Sequence, residues 1–123
     1  MAAAVSAFYL VTGTWALMAP TAFYRAVAPF PPGNDHFLRD GGAFAVGLGL
    51  VAAIAAKHPA VTRSIMAAVA VASALHLLSH VFDVHEGGHP TRDLVVLPLV
   101  VLAAGVASWK ANGRAVSASG QLP

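Results

Sequence analysis

The stretch Ala74-Leu75-His76-Leu77-Leu78-Ser79-His80-Val81-Phe82-Asp83-Val84-His85-Glu86 changes character half-way along. It enters as an Ala/Leu run of the kind that crosses a bilayer and leaves as a group of imidazoles and carboxylates. At about 100° per residue, His80 stands about 40° round the helix from His76, and Asp83 about 20° the other way. The three share one face over two turns, while His85 points elsewhere. A helix ending at Glu86 would hold His76 roughly 15 Å below that end, inside the hydrocarbon slab. Ionisable groups at such depth are costly and normally face the bundle interior. The segment therefore reads as a membrane helix with a polar face turned inward.

The rest of the chain agrees with that reading. Hydrophobic residues make up 58% of the 123 residues and charged residues only 10%, with a mean hydropathy of +0.72. Soluble domains carry about 25% charged residues, so a water-facing surface could hardly be assembled from this inventory. Four apolar stretches approach the roughly 20 residues needed to span a bilayer. The expectation is an all-α fold, a four-transmembrane-helix bundle with a short interfacial segment between the first two helices. Residues 1–111 form the transmembrane domain and residues 112–123 a polar, disordered cytoplasmic tail.

In chain order, the first span covers residues 2–19 and lacks the positive leader of a signal peptide. Pro20 ends it. Phe23, Tyr24 and Phe30, among prolines and one Arg, then read as an interfacial stretch with a short amphipathic helix. Asn34 or Asp35 caps a second span over residues 36–56, rich in Gly. The third covers residues 62–84, Ala-rich and ended by Gly87-Gly88; the fourth starts with Thr91 as N-cap, runs to Trp109 and carries Pro98, which should bend it.

Four spans put both termini on one side with the loop after the second span. That side holds Lys57, Arg63, Lys110 and Arg114 and no acid, which the positive-inside rule places in the cytoplasm. The other side holds all five acids and every histidine except His58. A net charge of +2 spread along membrane borders is no nucleic-acid footprint. The absence of Cys excludes disulfides and thiolate metal sites.

His36 and Asp40, also spaced i,i+4, open the second span and could meet His76, His80 and Asp83 from a facing helix. Imidazole and carboxylate together suit a first-row transition metal ion such as zinc, copper or iron. His76 and His80 would be primary ligands, with Asp83, His36 and Asp40 completing the shell, as a cofactor site or in metal handling. Haem ligation by His76 or His80 uses the same residues, though small-residue packing leaves it little room. Two other readings stand beside these. The polar cluster could specify helix packing in a non-catalytic membrane subunit, with Asp40 or Asp83 paired to Arg39 or Arg92 and His76 bonded to Ser79 or Tyr9. It could instead relay protons or ions. Whether the protein is an enzyme stays open, since Ser79 stands off the histidine face and makes a poor triad. The partners expected are the lipid bilayer, and a homo-oligomer or larger membrane complex through the Gly- and Ala-rich faces.

Gly13 followed by Pro20, the aromatic interfacial segment, then Arg39-Asp40-Gly41-Gly42 leading into Gly47-Leu48-Gly49, resembles the DoxX-like group of small four-helix membrane proteins. The resemblance covers residues 2–56. It implies a four-helix bundle in a bacterial cytoplasmic membrane, with some members linked to redox or stress-related complexes. The His76, His80 and Asp83 cluster departs from that group's pattern.

Overall fold

The computed structural model describes residues 1–119, with side chains as far as Gly113. Five helices follow one another: α1 (Ala2–Met18), α2 (Pro20–Ala26), α3 (Asp35–Lys57), α4 (Pro59–Phe82) and α5 (Pro90–Ser119). Among the described residues there is no strand. α3, α4 and the Pro90–Gly113 part of α5 are each long and apolar enough to cross a membrane. α1 reaches that standard only together with α2, which turns away from it by 119°.

Proline and a few polar caps set the boundaries. Ala19 leaves helical geometry (φ −138°) because the following Pro20 disfavours the α region for the residue before it. Pro20 then opens α2 at a position where a missing N–H costs nothing. Asn34 caps α3 through its side-chain oxygen, which accepts from His36 N at 3.0 Å and Phe37 N at 3.3 Å. α4 begins at Pro59, earlier than the sequence pattern indicates, with His58 alone between it and α3. It ends at Phe82, and Asp83 becomes its C-cap. Gly87 (φ +143°) and Gly88 (φ +75°) then take backbone angles that side chains resist. α5 starts at Pro90 rather than after Thr91 and continues through Pro98. The helix runs on through residues 112–119, where the sequence reads as a tail; residues 120–123 lie outside the described residues.

Two close helix pairs make the bundle, α1 with α3 and α4 with α5. The first is closed by glycine. A Cβ added at Gly13 would stand 2.7 Å from Val46 N, and one at Gly42 would stand 2.7 Å from Gly13 O. Ser6 Oγ donates to Gly49 O across the same seam at 2.8 Å. Without water to compete, such small-residue approaches and interhelical hydrogen bonds hold membrane helices together. The pairs join through Val5, Tyr9, Ala52, Ala55, Met66, Val69 and Ala104, and through Tyr9 OH, 2.7 Å from Ser73 Oγ. Thr62 Oγ1 closes the α3–α4 corner by donating to Ala55 O at 2.7 Å.

Outside, the surface is apolar: Phe44 is 79% exposed, Leu75 63% and Leu102 61%. A monomer solvated by water rarely shows such a face. This exterior and the three apolar helices are those of an integral membrane protein.

Candidate functional site

At the end of the bundle where α2 and the Gly87-Gly88 turn lie, the helices enclose a cavity of about 510 Å³. That is within the range of small-molecule sites, about 300–1,000 Å³. Phe8, Tyr9, Thr12, Gly13 and Ala16 of α1, Phe23 of α2, and Phe37, Leu38, Gly41 and Ala45 of α3 form most of its wall. Phe30 from the α2–α3 connection and Val96 and Leu97 of α5 complete the apolar part. Its charged or titratable lining is Tyr9, whose hydroxyl is bonded to Ser73, with His76, His80, Arg92 and Asp93.

These polar groups are positioned by three elements. His76 and His80 stand one turn apart on α4, rings edge to face with centroids 4.9 Å apart. Asp93, in the first turns of α5, is 8% exposed. Its Oδ2 lies 3.5 Å from His80 Nδ1 and accepts from the His89 backbone N–H at 3.2 Å. Its Oδ1 accepts from Arg92 Nε at 3.1 Å. Arg92 has a second task. Its guanidinium donates to Ala26 O at 3.0 Å and to Val27 O, carbonyls at the end of α2 that no helical N–H can reach. A cation there also meets the negative end of the helix dipole. Arg92 thus fastens α2 to α5 by bonding two carbonyls and Asp93.

A second clasp covers the polar end. Gly88 N donates to Pro29 O at 3.2 Å. The Phe30 ring rests on Gly88, where an added Cβ would stand 2.5 Å from Phe30 Cζ. The same ring meets His80 edge to face at 5.5 Å. Between α3 and α4, by contrast, the lining residues Phe37, Gly41 and His76 are themselves exposed, so the cavity opens sideways there, beside the outward-facing Leu75 and Leu78.

Of the five residues expected to bind metal, the structure brings together His76 and His80. His36 and Asp40 pair with each other, Nε2 to Oδ2 at 3.4 Å, with side chains 78% and 54% exposed, and neither lines the cavity. Asp83 is exposed at the end of α4. Among the described residues no group of three or more His, Asp or Glu side chains could hold a metal ion. Asp40 and Asp83 are not the partners of Arg92, and Tyr9 bonds Ser73 rather than His76. The carboxylate that does reach the histidines, Asp93, reads in the sequence only as a first-turn charge. Its one signal is the Arg92-Asp93 pair at the head of a membrane helix. Phe30 carries no such signal, because the fold of a loop puts it on His80.

A larger recess, about 650 Å³, lies at the opposite end among Ala2, Ala3, Ala55, Ala56, Ala60 and Ala107. Among the described residues, Thr62 and Lys110 are the polar side chains on its wall.

Fold and site together define an all-helical membrane protein with a polar-ended internal cavity. Comparison with protein-family models, with curated proteins and with solved structures finds no match for this chain.

Proposed function

We propose that this is a four-span membrane protein that takes a lipophilic small molecule into the cavity, with the molecule's polar end against His76 and His80. One observation carries the reading: a cavity with apolar, aromatic walls has His76, His80, Arg92 and Asp93 in its lining, and among the described residues nothing hydrogen-bonds the His76 ring or His80 Nε2, Asp93 standing at His80 Nδ1 alone. Such convergence is the usual form of a ligand site. The sideways opening beside exposed leucines gives access from the bilayer, where a lipophile is concentrated. α1 with α2 supplies the fourth span, and the positive-inside rule sets both termini in the cytoplasm and the histidines on the far side. The DoxX-like resemblance of the first two spans fits this architecture and a bacterial cytoplasmic membrane.

Arg92 and Asp93 are the part of the cluster that serves helix packing, since their bonds run to α2 and the α5 start. The His76 ring is not used that way, and His80 joins the packing only through Nδ1, near Asp93, and its ring contact with Phe30. A transition metal on these two rings is the rival, favoured by their 4.9 Å approach.

The test is extraction of the protein in mild detergent, followed by mass spectrometry of co-purified small molecules and elemental analysis. Wild type is compared with Gly41→Leu, whose new side chain begins in open space at the cavity mouth, and with His76→Ala plus His80→Ala. A lipophile present in wild type and lost in Gly41→Leu supports the proposal. Stoichiometric metal that survives Gly41→Leu and disappears in the double variant supports the rival. Neither a molecule nor a metal in wild type would leave the cluster as a packing device.

A further inference from the structure

We infer that the polar end of the ligand is a hydroxyl group and that His80, backed by Asp93, is the side chain that recognises it. This rests on the cavity being a ligand site.

The chemistry follows from which nitrogen is occupied. Asp93 Oδ2 stands 3.5 Å from His80 Nδ1, so in neutral imidazole the negative oxygen draws the one ring proton to Nδ1. Nε2 is left as a lone-pair acceptor. No group among the described residues bonds Nε2. Among the described residues no buried side-chain nitrogen or oxygen lacks a partner, so this atom is accessible, and His80 lines the cavity. An acceptor in apolar surroundings selects a donor, because an ether or carbonyl oxygen would set lone pair against lone pair.

Charged heads fit less well. A carboxylate or phosphate would add a negative charge near Asp93, whose carboxylate already answers the Arg92 cation. An ammonium head would bury a cation beside a carboxylate that Arg92 already pairs at 3.0 Å. A neutral donor remains: the hydroxyl of a lipophilic alcohol or phenol. Phe30 packs edge to face against the His80 ring at 5.5 Å, so an apolar ring borders the acceptor at that end.

The full chain in phosphatidylcholine nanodiscs is offered three probes of one skeleton: farnesol, farnesyl methyl ether and farnesene. Retention over empty nanodiscs is measured. Farnesol should bind saturably, the ether and hydrocarbon about tenfold more weakly, and His80→Phe should abolish the preference. Equal saturable retention of all three by wild type overturns the hydroxyl assignment and leaves the cavity reading standing. So does a preference that survives in His80→Phe. No saturable retention of any probe overturns the cavity reading itself. Should His80→Phe fail to fold, the three-probe series on wild type still decides.

Discussion

Replacing Gly42 by Ala should loosen the α1–α3 pair, whereas the same change one residue earlier, at Gly41, should tighten the protein. The added Cβ at Gly42 would stand 2.7 Å from both Gly13 O and Leu17 N, and 3.1 Å from Ala16 Cβ. Two of these are backbone atoms of α1, so no rotamer change relieves them. To bring 2.7 Å up to the 3.4 Å of ordinary contact, the helices must part by about 0.7 Å. Overfilling a close-packed seam costs about 1–3 kcal/mol. Ala in place of a helical Gly returns about 0.5–1 kcal/mol, which leaves Gly42→Ala destabilised by up to about 2.5 kcal/mol. At Gly41 an added Cβ meets nothing within 4 Å, so only the helix-propensity gain of about 0.5–1 kcal/mol remains. Equilibrium unfolding in mixed micelles, followed by far-UV circular dichroism, compares the two variants directly. Because they are neighbours in one helix, differences in the unfolded state largely cancel. If Gly42→Ala proves as stable as Gly41→Ala, the account of this helix pair is wrong.

Three further outcomes follow from the same contacts. Arg92→Gln removes the tie to Ala26 O and Val27 O and leaves Asp93 without its cation; with the Arg92 side chain 40% exposed, the loss should be about 2 kcal/mol in the same unfolding assay. A variant indistinguishable from wild type would show the α2–α5 tie to be idle. Thr62→Val keeps shape but loses the donor to Ala55 O and His58 O, and should cost about 1 kcal/mol. Gly88→Ala meets both a φ of +75° and the Phe30 ring and should displace that ring, so His80 in the intact protein becomes more reactive toward diethyl pyrocarbonate. Peptide mass spectrometry reads this, and unchanged labelling of His80 would show that Phe30 does not cover it.

The membrane-length helices were legible because a bilayer demands long apolar runs, and that demand is local. Asn34 and Pro20 were legible as boundary residues for a related reason, since a cap or a proline acts on its own neighbours. Where local rules overlapped, they misplaced ends: Pro59 opens α4 earlier than the apolar pattern suggested because proline is at ease in a first turn. The i,i+4 arithmetic correctly put His76 and His80 together, as both belong to one rigid helix.

It could not say which carboxylate would join them. Asp83 has the right helical phase, but α4 ends at Phe82 and leaves it exposed. His36 and Asp40 find each other along α3, the partnership that i,i+4 spacing offers without any tertiary contact. Asp93 reaches His80 because α4 and α5 run back along each other and Arg92 anchors the start of α5 to the end of α2.

The sequence by itself determined an apolar, helical, membrane-embedded chain with its acids and all but one histidine at one end. Those are properties of single helices and of the solvent around them. Only the tertiary structure decided that the histidines line a cavity, that Asp93 stands behind one of them and that Phe30 packs against it. The angles at which helices cross, and the spaces left between them, depend on many weak contacts among distant segments. No single stretch of chain records their sum.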